Sequence, residues 1–213
     1  APLLETRHVF LDTQVYHGLK HNPANPAFRN LAEHVRERRI VLHTSDITLM
    51  EVQRQLKESV AARGRELATI EKELVRWRYA APHSAPAKPP VFDAGMLGDD
   101  LFKAFRNAVV GGCGATVHQA LQVPAEAVFA TYFARLPPFE SEGSKEFPDA
   151  FVLAVLELWC QQHDERLYVV TADGAMARGA DKSDRLISAK SIQAILGMAS
   201  AAIGGDAEAN AER

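Results

Sequence analysis

Acidic residues follow two apolar runs in this chain and begin two helical patterns. Asp12 closes a Val-Phe-Leu run, Asp173 comes soon after a Leu-Tyr-Val-Val run, and Glu51 and Asp149 lie early in helical patterns. Short apolar runs that alternate with helical patterns predict βαβ units and a parallel sheet. Ligands of such sheets bind beyond the carboxyl ends of the strands, where the following helices begin. Carboxylates that converge there repel one another unless a cation lies between them, and oxygen ligands suit Mg²⁺ or Mn²⁺.

Each acid taken alone also has a purely structural explanation. Asp12 could brace the loop that follows it, and Asp173 could cap a short helix that begins at Gly174. Glu51 and Asp149 could complement a helix dipole, since both fall in early helical turns. Capping does not require four carboxylates to share one edge of a sheet. Their joint placement therefore favours a metal site.

Length and composition allow one large domain, or one domain that carries an insertion. The chain has 213 residues, is 47% hydrophobic and has a net charge of −3, so it has no overall basic field for nucleic acid or an anionic membrane, although a local basic patch stays open. Cys113 and Cys160 are far apart and lack metal-like spacing, which indicates a reduced, cytoplasmic protein, with a single disulfide as the alternative. No apolar run approaches the ~20 residues that span a bilayer, and we expect no signal peptide.

Hydrophobic periodicity predicts a single domain over about residues 1–203. The expected strands are about 8–11, 40–42, 167–170 and 185–187, and the expected helices are about 26–37, 46–52, 56–77, 148–163 and 190–201. Segment 81–144 reads as an insertion with a proline-rich start and two helices, about 99–110 and 124–135. We expect it to form a helical cap beside the cleft. Residues 204–213 are expected to be a disordered tail.

Two further motifs have weaker functional interpretations. The Gly-Gly-Cys-Gly cluster at 111–114 could cradle a phosphate, but a flexible turn explains it better, because it lacks the GxxxxGK[ST] pattern. His17 and His21 have helical i,i+4 spacing, but Gly18 and Pro23 argue against a regular helix and thus against a zinc site.

The acidic motifs and their order resemble those of the PIN-domain nucleases. The matching features are Asp12-Thr13 after the first strand, Glu51 in the helix after the second, Asp149-Ala150 opening a helix, and Thr171-Ala172-Asp173 after a later strand. The resemblance covers about residues 8–80 and 145–197. It implies a three-layer α/β/α fold with a mostly parallel central sheet, dependence on Mg²⁺ or Mn²⁺, and cleavage of RNA or structured nucleic acid.

The resemblance also implies roles for individual residues. Asp12, Glu51, Asp149 and Asp173 are expected to be the catalytic, metal-binding quartet, and the hydroxyls of Thr13 and Thr171 could orient these carboxylates. The candidate substrate contacts near the quartet are Lys145, Arg54, Lys57, Arg29 and His17, and Glu146 is a spare acid. Many family members have a further acid just after the fourth aspartate, whereas this chain has Gly174 and Ala175. Whether one or two metals bind therefore stays open.

The predicted function is that of a metal-dependent endoribonuclease, and three alternatives stand beside it. A silent PIN-like scaffold that binds RNA or protein is disfavoured by the complete quartet. A haloacid-dehalogenase-type phosphatase needs a second aspartate where this chain has Gln14. A toxin nuclease held by an antitoxin protein would share the same site. The choice between RNA and DNA, and the oligomeric state, cannot be read from one chain.

Overall fold

Five parallel strands form one sheet in the order β3-β2-β1-β4-β5. The computed structural model describes the backbone of residues 3–86, 88–89, 91–141 and 143–211, and the side chains of these residues as far as residue 201. The strands are β1 (His8–Leu11), β2 (Val41–Ser45), β3 (Thr116–His118), β4 (Leu167–Val170) and β5 (Leu186–Ala189). In register, Phe10 lies opposite both His43 and Val169. This all-parallel sheet flanked by helices confirms the predicted fold class.

Eight α-helices accompany the strands within the described residues. They are α1 (Thr13–Gly18), α2 (Pro26–Arg36), α3 (Asp46–Ala80), α4 (Ala94–Arg106), α5 (Ala125–Phe133), α6 (Phe147–His163), α7 (Gly174–Asp181) and α8 (Ile192–Ala211). Caps fix several of their starts: the Asn25 side chain accepts a hydrogen bond from the Ala27 amide, and Ser45 accepts one from Thr48. Ser45 is also the last residue of β2, so α3 begins directly at the carboxyl edge of the sheet.

The two faces of the sheet are covered by different helices. Alternate residues of β1 point to opposite faces, so Val9 and Leu11 join the larger core with residues of α2, α3, α4 and α8. Phe10 joins the core on the other face, which α6 and α7 complete. All four residues of β1 are buried, which explains why its sequence is a continuous apolar run. The result is three layers, with β1 at the centre of the middle one.

Helix α3 is longer than the sequence predicted, because the two expected helices form one helix of 35 residues. Gly64 does not interrupt it, although glycine disfavours a helix interior by about 1 kcal/mol. Helix α4 packs closely on α3 at Gly98, where an added Cβ would lie 3.3 Å from the Lys57 Cα. The absence of a side chain at Gly98 thus permits this close approach.

The segment 81–144 is not a purely helical cap, and this corrects the prediction. It contributes strand β3, which pairs with β2 at the edge of the sheet. Phe105, Val109 and Cys113 of the same segment are buried in the main hydrophobic core. A π-helical turn at Asn107–Gly112 leads from α4 toward β3, so the glycine cluster is part of a helix-to-strand connection. Residues 94–118 therefore belong to the body of the domain.

Other predicted boundaries also shift. Strand β2 runs to Ser45 rather than ending at Leu42, and α4 begins at Ala94 rather than near Asp99. Helix α8 continues to Ala211, across most of the segment expected to be a disordered tail, and residues 212 and 213 lie outside the described residues. Among the helices of the described residues, none has the length and apolar character needed to cross a bilayer.

Candidate active site

The parallel sheet places the ends of β1, β2 and β4 at one edge, and the four predicted acids follow from elements at that edge. Asp12 directly follows β1 and is the N-cap residue of α1. Asp173 is the N-cap residue of α7, which follows β4. Glu51 lies in the second turn of α3, which follows β2, and Asp149 lies in the first turn of α6. The elements thus position all four acids toward the same end of the sheet.

Asp12 is buried and its carboxylate is held by a threonine. It is 7% exposed, its side chain makes no capping hydrogen bond to α1, and its Oδ2 accepts a hydrogen bond of 2.7 Å from the Thr171 hydroxyl. Burial raises the pKa of Asp12, the hydrogen bond from Thr171 opposes that rise, and the nearby charge of Glu51 adds to it. Thr171 therefore links the carboxyl ends of two neighbouring strands through one carboxylate.

Glu51 is held in a similar way by a residue of α1. The Thr13 hydroxyl donates a hydrogen bond of 2.6 Å to Glu51 Oε2. Thr13 itself is buried, so its hydroxyl has a fixed position between α1 and α3. Both threonines that the sequence selected therefore donate to acids of the predicted quartet. Their predicted role in orienting ligands stays a prediction.

Asp173 uses one of its oxygens as a helix cap. Its Oδ1 accepts hydrogen bonds from the backbone amides of Ala175 at 2.7 Å and Met176 at 2.8 Å. Its own amide donates to the Thr171 hydroxyl at 3.0 Å. Asp173 therefore caps the helix that begins at Gly174, as its structural explanation predicted. The capping bonds involve Oδ1 alone and fix the carboxylate in place.

The charges of the other three acids of the quartet, and of Glu146, act on Asp149. Burial first, and then the charges of Asp12, Glu146, Glu51 and Asp173 in that order, raise its pKa to about 7. A carboxyl group is disfavoured in its charged form both by loss of solvent and by like charges within reach. Glu146, which the sequence singled out only as a spare acid, precedes Glu51 and Asp173 in this effect. Asp149 is thus the electrostatic centre of the cluster.

The acids do not form a closed metal cage as they stand. Within the described residues, no three His, Cys, Asp or Glu side chains converge closely enough to hold an ion. Asp12, Glu51 and Asp173 are each held by a hydrogen bond from a hydroxyl or an amide. The donor set is nevertheless all oxygen, which suits a hard divalent cation, and a cation would relieve the charge repulsion at Asp149. The chemistry of the donors therefore fits Mg²⁺ or Mn²⁺.

The candidate substrate contacts lie on exposed surfaces and two of them are engaged in ion pairs. Arg54 pairs with Glu58 one turn further along α3, and Lys57 pairs with Asp99 of α4 at 2.7 Å. Lys145 is exposed in the loop before α6. Arg29 is exposed on α2, and His17 is exposed on α1. Their proposed contact with substrate stays a prediction.

The two histidines considered from the sequence as a zinc site show no metal-like arrangement. The His17 and His21 rings meet edge to face with centroids 5.7 Å apart, and His21 instead makes a hydrogen bond of 3.0 Å with the Gln55 side chain. Helix α1 ends at Gly18, so His17 lies in a helix that the sequence did not predict and His21 lies outside it. A groove of about 390 Å³ lies beside α6, between α5 and α7, and none of the four acids lines it.

A row of three buried histidines crosses the sheet and was not recognised in the sequence. His8 Nδ1 lies 2.9 Å from His43 Nε2, and His43 Nδ1 lies 2.9 Å from His118 Nε2. Trp159 of α6 covers all three rings. Burial lowers the pKa of His43 to about 3 and that of His118 to about 4. The sequence has one histidine in each of three strands, but only the register of the sheet shows that the three side chains lie next to one another.

The comparison with protein families agrees with this geometry. A family model described as PIN domain matches residues 9–176, a range that begins in β1, includes the segment 81–144 and ends in α7. No curated protein and no solved structure gives a significant match to the chain. Because the family model covers well over half of the sequence, the chain belongs to the PIN-domain family, whose members are generally nucleases.

Proposed function

We propose that this protein is a divalent-metal-dependent endoribonuclease that hydrolyses RNA phosphodiesters. The observation that carries the proposal is the electrostatic state of Asp149, whose pKa is raised to about 7 by burial and by the charges of neighbouring acids that include Asp12, Glu51 and Asp173. Such strongly perturbed groups concentrate at functional sites. A packed core offers no reason to gather these acids, because their mutual repulsion disfavours the folded state.

In this proposal Asp12, Glu51, Asp149 and Asp173 hold Mg²⁺ or Mn²⁺. When bound, the cation supplies the Lewis acidity that turns water into a nucleophile and stabilises charge on the phosphate. The chain's own residues prepare the ligands: Thr171 fixes Asp12, and Thr13 fixes Glu51. Ligands held in place by neighbouring hydroxyls need less reorganisation when the ion binds.

The test compares the wild type with Asp149→Asn on labelled single-stranded RNA, with Mn²⁺ and with EDTA. We expect cleavage only by the wild type and only with metal, because the substitution keeps the shape of the side chain and removes its charge. Asp164→Asn is the matched control, since Asp164 has 92% of its side chain exposed and follows the far end of α6. This control should cleave like the wild type.

Two outcomes would count against the proposal. Cleavage that survives both EDTA and Asp149→Asn would show that the activity comes from another site or another protein. Absence of cleavage of any RNA or DNA by folded, metal-loaded protein would favour a scaffold that binds RNA or protein without catalysis.

A toxin role requires a separate experiment. If the nuclease is a toxin, its expression without a partner should arrest growth, and the Asp149→Asn variant should not. Growth that is equal with both proteins would remove the antitoxin as an expected partner while leaving the nuclease activity open to the assay above.

A further inference from the structure

An arginine that the sequence analysis did not select reaches the edge of the acidic cluster. Arg178 lies on α7 and its side chain extends back toward the start of that helix, as helical side chains generally do. Its Nη1 would lie 3.1 Å from a Cβ added to Gly174, the residue directly after Asp173. The guanidinium therefore lies against the first turn of α7, beside one acid of the cluster.

Glu140 holds this guanidinium in place. Its Oε2 accepts hydrogen bonds from Arg178 Nε at 2.6 Å and Nη2 at 2.5 Å. This pair raises the pKa of Arg178, and the charge of Asp173 adds a smaller rise in the same direction. Glu140 directly follows Phe139, which is 1% exposed and buried beside α6. The end of the segment 81–144 is thus anchored where its acid meets Arg178.

The ion pair is exposed to solvent, so another anion can replace the Glu140 carboxylate at the guanidinium. The Arg178 side chain is 58% exposed and that of Glu140 is 38% exposed. Exposed ion pairs contribute little to stability, so replacing the carboxylate disfavours the fold only slightly. A phosphate offers the guanidinium the same planar pairing of two N–H groups with oxygens that a carboxylate offers.

The basic residues selected from the sequence are less suited to this role. Arg54 and Lys57 form ion pairs with acids of α3 and α4, on the surface of the helical pair. Arg178, in contrast, lies within the influence of the charge of Asp173. Its guanidinium lies beside the residue that directly follows Asp173.

We propose that Arg178 binds a phosphate of the RNA substrate beside the acidic cluster, and that Glu140 occupies the guanidinium until the phosphate displaces it. This inference rests on the proposed nuclease function and deepens it. Glu140 thereby competes with anions that bind the guanidinium weakly. The segment 81–144 thereby contributes to substrate binding through one acid at its end.

The experiment measures binding of a fluorescently labelled single-stranded RNA by anisotropy, in Asp149→Asn protein so that the RNA is not consumed. Arg178→Ala should weaken binding about tenfold, and the slope of log K against log salt should fall by about 0.7, the value for one lost phosphate contact on a single strand. Glu140→Gln should bind more tightly, because it removes the competing charge. Glu140→Gln combined with Arg178→Ala should bind like Arg178→Ala alone. Arg63→Ala, which removes an arginine from an exposed ion pair with Glu66 on α3, is the matched control and should bind like the parent.

The opposite signs separate this inference from a structural role of the ion pair. If the pair merely stabilised the fold, both single variants would bind RNA more weakly and unfold at lower temperature, and the inference would be wrong. Unchanged affinity and salt slope in Arg178→Ala, with wild-type protein that still cleaves RNA, would overturn the inference and leave the proposed function standing. Wild-type protein that neither binds nor cleaves any nucleic acid would overturn both.

Discussion

Replacing Asp149 with Asn should stabilise the metal-free protein at neutral and higher pH. The pKa of Asp149 is raised from its ordinary value of 3.8 to about 7, first by burial and then by the neighbouring acids. The difference, 7 minus 3.8, is about 3 pH units, and at about 1.4 kcal/mol per unit it corresponds to an upper limit of about 4 kcal/mol. The asparagine has a similar shape and avoids this charge entirely.

The sign of the pH dependence follows from where the proton binds. The folded protein holds a proton on Asp149 more tightly than the unfolded chain does, so the contribution of Asp149 to stability is full below about pH 4 and is lost as the pH rises through about 7. The buried histidines act in the opposite direction, but they are present in both proteins. Their effect therefore cancels when the wild type and the variant are compared at each pH.

The assay is urea unfolding in EDTA at several values between about pH 5 and about pH 8, with Asp164→Asn as the control. The free energy of unfolding of Asp149→Asn should exceed that of the wild type by an amount that grows with pH to a few kcal/mol, and Asp164→Asn should run parallel to the wild type. Saturating Mn²⁺ should shrink the difference, because a cation stabilises the wild-type carboxylate. Parallel curves for the wild type and Asp149→Asn in EDTA would refute the view that Asp149 lies among repelling charges.

Three further predictions concern other parts of the molecule. Thr171→Val removes the hydroxyl that donates to Asp12, so it should weaken Mn²⁺-dependent cleavage and destabilise the fold by about 1–3 kcal/mol in urea unfolding; an unchanged response to Mn²⁺ would contradict it. His43 should stay neutral at about pH 5, because its pKa is lowered to about 3. Since the unfolded chain takes up this proton more readily, the fold should lose stability as the pH falls below about 6.5. An imidazolium NMR shift for His43 at about pH 5 would contradict this prediction. Phe105→Ala should lower the free energy of unfolding by about 3–5 kcal/mol, whereas Phe129→Ala, at a position 45% exposed, should lower it much less. Equal effects of the two substitutions would mean that α4 is not part of the core.

The sequence predicted the central strands and α2 well because their signals are local. Strand β1 is a run of apolar residues buried on both faces, and α2 begins with Asn25 as its cap and Pro26 at its first position. The order of the acids along the chain was also sufficient to recognise the family, because each lies near the end of a strand or in an early turn of a helix that hydrophobic periodicity predicts.

The features that the sequence missed depend on pairing between distant residues. Strand β3 has only three residues, and it is a strand because β2 offers it hydrogen bonds. Thr44 and Ser45 have side chains typical of helix caps, but β2 extends through both residues, and Ser45 is the last residue of the strand as well as the cap of α3. The contact between Glu140 and Arg178 joins residues 38 positions apart. No local pattern marks such a contact before the fold is known.

The tautomers of the three buried histidines are coupled, because the direction of one hydrogen bond between their rings fixes the direction of the other. Each neutral ring carries one proton, so when His43 Nε2 donates to His8, His43 Nδ1 must accept from His118, and His8 must carry its proton on Nε2. That nitrogen faces Glu165 Oε1 at 3.8 Å, and the carboxylate favours this direction over the reverse. A surface acid thus selects one of two polarities for a line of hydrogen bonds running across three strands. Glu165→Gln should loosen that selection, and ¹⁵N shifts of all three rings should then change together.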